Sequence, residues 1–145
     1  MSTESATYEP KYLAGILLFN AGDYFEAHEV WEDLWHETVG PERSFYQGLI
    51  QVAVGLCHFG NGNHRGALKL HQSSLDYLKR FHPECQGLNL EQFTEALDRC
   101  YAPLLNHPSL QASNLNVELV PQIVLNPQPA QWPNVADFLP DEALE

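Results

Sequence analysis

Apolar residues recur at helical spacing in five segments of the first hundred residues. Apolar positions three and four residues apart are typical of helices that bury one face. Turn or cap residues separate the segments, among them Gly22, the pair Gly40-Pro41 and Gly62. In chain order the predicted helices cover about residues 10–20, 23–39, 42–59, 63–81 and 89–102.

The second and third predicted helices differ in how much of their surface is apolar. The second carries one apolar stripe, and its opposite face is acidic. Asp23 and Glu26 at its start have the spacing of a capping box. The third is apolar around most of its circumference, which predicts that it is a buried helix.

An internal repeat relates the first two helices to the next two. The residues FNAGDY at 19–24 align with FGNGNH at 59–64 at an offset of 40, and Ala27 then matches Ala67. Each copy reads as an aromatic residue, a glycine turn, a cap residue and a small alanine. The pattern predicts two related helical hairpins within an all-α fold, a small bundle of about five helices.

The composition changes after the fifth helix. Seven of the ten prolines lie from Pro103 onward, where no helical period survives. We therefore expect a helical bundle domain at 1–105 and an extended proline-rich C-terminal arm with an acidic tip at 106–145. The apolar stretch 119–125 is expected to pack on the helices or on a second subunit, which would make a homodimer through the arm.

Charge and cysteine usage narrow the class of protein. Seven Lys and Arg against nineteen Asp and Glu give a formal charge of −12, which repels phosphate backbones and anionic lipid. Nucleic acid and membranes are therefore not expected partners. The three cysteines form no CxxC pair, and no secretory signal or bilayer-length apolar run is visible. We expect a cytoplasmic protein with reduced thiols.

A polar strip runs along the apolar third helix. Arg43, Gln47, Gln51 and His58 project to the same side of the helix at 3.6 residues per turn. Gly48 and Gly55 flank the strip. Buried amide and imidazole groups cost about 1–3 kcal/mol each when unpaired, so the strip must face partners or a wetted cavity.

The second helix offers partners for this strip. His28 and Glu32 lie one turn apart at the margin of its apolar stripe, and Trp31 and Trp35 lie on the same edge. His28-Glu29 followed by Glu32 is similar to the HExxH zinc motif with its second histidine replaced. A metal site would need His58 or His64 to complete it. In the favoured set His28, Glu32 and His58 would hold a divalent ion, and Glu29 or a second carboxylate would be the catalytic base.

Three longer stretches resemble a known family. They are FNAGDYFEAHEVWEDLW (19–35), Arg43 with QGLIQVAVGLCH (47–58), and GNHRGALKL (62–70), which closely resemble the domain of unknown function 309 over about residues 19–78. The resemblance implies a small all-α fold, and the family is sometimes described as a predicted metal-dependent hydrolase. The family motif falls on Glu26, His28, Glu29, Glu32, Arg43, Gln47, Gln51 and Gly66.

Two functions and one structural role remain open. The favoured function is a non-catalytic domain that binds a partner or small ligand between helices two and three through Arg43, Gln47, Gln51, Trp31 and Trp35. Arg43 would there orient Glu29 or Glu32. The alternative is the metal-dependent hydrolase. The same polar groups would also suit a buried network that only fixes helix register. His71, on the apolar face of the fourth helix, is expected to be a core histidine.

Overall fold

A computed structural model describes residues 7–106 and 114–139. The described part of the chain contains five α-helices, which confirms the all-α prediction. They are α1 (Pro10–Asn20), α2 (Tyr24–Glu37), α3 (Glu42–Gly60), α4 (His64–Leu78) and α5 (Leu90–Asn106). A short antiparallel pair, β1 (Glu84–Cys85) and β2 (Leu88–Asn89), connects α4 to α5 and was not predicted. Within the described residues, no helix has the length and apolarity to cross a bilayer.

The α1–α2 and α3–α4 hairpins have matching turns, which confirms the internal repeat. The Asp23 N–H donates to the Leu18 carbonyl at 2.9 Å. Forty residues later the Asn63 N–H donates to the His58 backbone carbonyl at 2.8 Å. The two turn glycines have φ values of +86° and +80°, a conformation that residues with a Cβ adopt at a cost.

The predicted capping box at the start of α2 is wrong. The Asp23 side chain accepts no cap hydrogen bond, whereas Asn63 accepts one from the Gly66 N–H at 3.0 Å. A Cβ at position 66 would lie 2.7 Å from Asn63 Nδ2. Glu26 carries a Cβ at the matching position of the first hairpin. The repeat therefore keeps the turn but not the cap.

The helix α3 is largely buried, as predicted. Every residue from 43 to 59 is buried or half-buried. On one side α4 approaches closely, since a Cβ on Gly48 would lie 2.7 Å from Leu78 Cδ2 and one on Gly55 3.4 Å from Leu70 Cβ. The hairpin turns and these glycines therefore hold α4 tightly against α3.

The helix α5 begins at the predicted cap and runs further than predicted. The Asn89 side chain accepts the Gln92 N–H at 3.0 Å. The helix was expected to end near Ala102 but continues through Pro103 to Asn106. A proline removes one backbone hydrogen bond, and the fully buried Leu104 that directly follows it anchors the segment to the core.

The C-terminal segment packs on the helices of the same chain. Val120, Ile123 and Leu125 are buried. The Asn20 side chain accepts the Ile123 N–H at 2.8 Å and donates to its carbonyl at 3.0 Å. The predicted acidic tip lies outside the described residues. The domain boundary at 105/106 and the exchange of this segment between subunits stay predictions.

His71 joins α4 to α5 and is a core histidine, as expected. Its ring is stacked on Tyr101 with 4.1 Å between centroids, and its Nε2 lies 2.8 Å from Asp98 Oδ1. His71 is 4% exposed, and burial lowers the pKa of its imidazole although Asp98 acts in the opposite direction.

The lowered pKa predicts a loss of stability in acid. Below pH ~6.5 the unfolded chain protonates His71 more readily than the folded chain, so the contribution of neutral His71 is present above that pH and is lost below it. Urea unfolding at pH 7.5, 6 and 5 should show the wild type losing more stability than His71→Phe, which cannot titrate. His36→Gln, at an exposed histidine, is the control. If the difference in unfolding free energy between wild type and His71→Phe were the same at all three pH values, this account would be contradicted.

Candidate binding recess on the third helix

The polar strip of α3 is only partly covered by the neighbouring helices. Arg43, Gln47, Gln51 and His58 are all half-buried. Trp35 of α2 contacts the strip at its Arg43 end. Leu70 and Leu78 of α4 approach the neighbouring glycines of α3. We call this half-buried strip of four polar residues, with Trp35 beside Arg43, the α3 recess.

Arg43 is held by α2 and not by a carboxylate. Its Nε donates to the Trp35 carbonyl at 3.2 Å, and its guanidinium carbon lies 3.7 Å from the centroid of the Trp35 ring. That carbonyl belongs to the last turn of α2, where the helix dipole attracts a cation. The predicted pairing of Arg43 with Glu29 or Glu32 is not observed. Among the described residues, Lys11 pairs with Glu37, and Asp98 lies beside the neutral His71.

Gln51 has a buried polar atom without a partner. Its Oε1 is shielded from solvent and accepts no hydrogen bond from any residue that the structure describes. An unpaired buried acceptor costs about 1–3 kcal/mol. The strip is therefore not a fully satisfied internal network.

His58 is fixed in one neutral tautomer by the cap of α4. Because Asn63 Oδ1 accepts from the Gly66 N–H, its Nδ2 must donate, and it lies 3.2 Å from His58 Nδ1. His58 Nδ1 is then the acceptor, so Nε2 carries the hydrogen. The sequence predicted Asn63 as the cap of the fourth helix, which the structure confirms. The contact of Asn63 with His58 and the part played by Gly66 were missed, since Gly66 stood only as a motif residue.

His28 makes its hydrogen bond within its own helix. Its Nδ1 lies 2.9 Å from the Phe25 carbonyl, and a carbonyl can only accept. The hydrogen is therefore on Nδ1 and the lone pair on Nε2. The neighbouring Glu29 is half-buried and Glu32 is exposed. The ring of His28 also contacts Phe25, with 5.2 Å between centroids.

The predicted metal ligands do not come together in the structure. In residues 7–106 and 114–139, no three His, Cys, Asp or Glu side chains form a group that would hold one ion. A metal on Nε2 of His58 would also require the other tautomer. Nδ1–H would then face the Asn63 amide hydrogens, and the cap of α4 would be disturbed. The donor set of His28, Glu32 and His58 thus does not fit an ion in this conformation.

The two predicted tryptophans have different surroundings. Trp31 is fully buried, and its Nε1 donates to the Tyr12 carbonyl of α1 at 3.2 Å. It lies over Gly15, where a Cβ would be 2.0 Å from Nε1. Trp35 is half-buried and carries Arg43 on its ring. Only Trp35 therefore borders the recess.

Glu26 lies in a separate groove at the two hairpin turns. This groove has a volume of about 360 Å³ and is lined by residues that include Tyr24, Phe25, Glu26 and Cys57. Burial, and to a lesser extent the charge of Glu26, raise the pKa of the Cys57 thiol. A raised pKa disfavours the reactive thiolate, so the groove offers no activated nucleophile.

Comparisons with known proteins agree with the motif resemblance. Residues 12–70 match the family model described as Domain of unknown function (DUF309). "Uncharacterized protein YpuF" of Bacillus subtilis (strain 168) is 35% identical over 86 residues, which are 58% of this chain and 49% of that protein. An "Uncharacterized protein" of Aquifex aeolicus (strain VF5) is 28% identical over 81 residues, or 55% of this chain and 24% of its own length. The chain thus spans about half or less of these relatives.

Proposed function

We propose that this chain, whose residues 12–70 match the DUF309 family, is a non-catalytic binding module. Its ligand or partner segment occupies the α3 recess and contacts Arg43, Gln47 and Gln51. Trp35 forms the wall beside Arg43. Trp31 supports this wall from the core and does not touch the ligand.

The observation that carries this proposal is the unpaired Oε1 of Gln51. A glutamine kept only to fix the register of packed helices would have its amide satisfied by the protein. Gln51 as a whole is half-buried, so a rotation of its side chain would bring this oxygen to a ligand donor, which would satisfy it and recover the cost of its burial. The unpaired atom therefore favours a binding role over a purely structural one.

The lengths of the relatives also support a module. The aligned stretch makes up 49% of the Bacillus subtilis protein and 24% of the Aquifex aeolicus protein. Similar sequences thus occur in chains of clearly different length. A segment that folds around its own core and recognises a partner suits such varied contexts.

A peptide selection tests the proposal. Purified protein is presented to a display library of random twelve-residue peptides, and the enriched peptides are measured by fluorescence anisotropy. We expect Gln51→Leu to weaken their binding on the order of tenfold, the effect of one lost hydrogen bond to a buried acceptor. Gln72→Leu, at an exposed glutamine of α4, should leave the affinity unchanged. Failure to enrich any peptide, or equal affinities for both variants, would reject the proposal.

The second candidate is the metal-dependent hydrolase. The observation that favours it is the lone pair left on Nε2 of His28, the form of imidazole that binds metals. His58 and Glu32 would have to move to complete a site, and Glu29 would then activate a water.

Elemental analysis separates the two candidates. For protein purified without a histidine tag, we expect far less than one Zn, Mn or Fe per chain, and no difference between wild type and His28→Ala. His36→Ala controls for the loss of an exposed histidine. One equivalent of metal that is lost in His28→Ala and kept in His36→Ala would favour the hydrolase.

A further inference from the structure

The C-terminal segment leaves one of its backbone edges open beside a groove on α5. We propose that this groove binds an extended peptide segment of a partner protein, which pairs with the open edge as an added β-strand. The groove is formed by α5, the β1–β2 turn and residues 121–124, and none of its residues belongs to the α3 recess. This second site therefore does not rest on the proposed function.

Residues 122–126 have the side-chain pattern of a strand that lies on the core. Ile123 and Leu125 are buried, whereas Gln122, Val124 and Asn126 are exposed. Such alternation is typical of an extended chain with one face on the core and the other in solvent. Among the described residues, the paired strands are β1 and β2, so no strand lies beside this segment.

The Asn20 side chain of α1 occupies one backbone edge of the segment. It accepts the Ile123 N–H and donates to the Ile123 carbonyl, so both groups of this residue point toward α1. In an extended chain, the neighbouring residues direct their N–H and C=O groups to the opposite edge. Those of Gln122 and Val124 therefore point away from α1. They make no backbone hydrogen bond with any residue that the structure describes.

The groove lies along this open edge. The Asn126 N–H, two residues after Val124 on the same edge, donates to the Gly87 carbonyl of the β1–β2 turn at 2.9 Å. From there the groove continues between the segment and α5, with Val124 on one side and Phe93 and Ala96 on the other. Its volume is about 380 Å³, which is within the range of ligand-binding clefts. An incoming strand would thus extend the pairing that Gly87 begins.

The groove specifies an extended peptide with alternating apolar residues. In an antiparallel pairing, the peptide would exchange two hydrogen bonds with Gln122 and two with Val124. Its inward side chains would lie on the buried Phe93 and the half-buried Ala96. An outward apolar side chain would cover Val124, which is 67% exposed. Apolar residues at alternate positions of the peptide are therefore expected.

Charge selects against an acidic peptide. The groove is lined by Glu95 and Arg99, which are both exposed on α5 and have opposite charges. The chain as a whole carries a formal charge of −12, which repels acidic segments and attracts basic ones. We therefore expect the partner segment to be neutral or basic.

The test separates backbone pairing from side-chain contacts. The full chain is presented to a display library of random eight-residue peptides, and the affinities of enriched peptides are measured by fluorescence anisotropy. Val124→Pro removes the edge N–H and should weaken binding about tenfold or more. Val124→Thr keeps the N–H and the branched shape and should bind as the wild type does. N-methylation of each peptide residue in turn should weaken binding at alternate positions only.

Several results would overturn the proposal. They are a selection without enriched peptides, equal affinities for Val124→Pro and Val124→Thr, and N-methylation losses without a period of two. Circular dichroism checks that Val124→Pro folds, and if it does not, the N-methylated series on the wild type decides. Peptides that depend on Gln51 and not on Val124 would support the α3 recess alone. A dimer in sedimentation velocity that Val124→Pro dissociates would assign the groove to a second copy of the chain and overturn the partner peptide.

Discussion

The close approach of α4 to α3 is the constraint on which the rest of the structure depends. A Cβ on Gly48 would lie 2.7 Å from the Leu78 side chain, so only glycine allows this contact. A Cβ on Gly55 would lie 2.9 Å from the Tyr101 hydroxyl. With α4 this close on one side and α2 on the other, no residue of α3 between 43 and 59 is more than half exposed. The recess follows from this packing.

The same packing gives the polar strip its chemical character. On an open helix surface, water would satisfy the Gln51 amide, and in a filled core an apolar residue would replace it. In the recess its Oε1 is shielded from solvent without a partner. Trp35 at one end holds Arg43, and the Asn63 cap at the other end sets the tautomer of His58. Neighbouring residues thus orient Arg43 and His58 at the two ends of the strip.

Periodicity predicted the helices, the repeated hairpins and the shared face of the strip, because these follow from 3.6 residues per turn and from the glycine turns. Periodicity did not predict which polar groups form hydrogen bonds with each other. His28 satisfies its ring with a carbonyl three residues earlier, and Arg43 takes the carbonyl at the end of α2. Such choices depend on side-chain rotamers and on competition from nearby backbone groups. The two-residue strands around Gly87 are too short to show a period.

The central claim is that the strip of α3 is kept for binding and not for stability. The most direct test is the free energy of unfolding of Gln51→Leu from urea denaturation, with Gln72→Leu as the surface control. Replacing an unpaired buried amide by an apolar side chain of similar size should leave stability unchanged or raise it by about 1–3 kcal/mol. A loss of that size in Gln51→Leu alone would show that the amide is part of a satisfied structural network and would contradict the account.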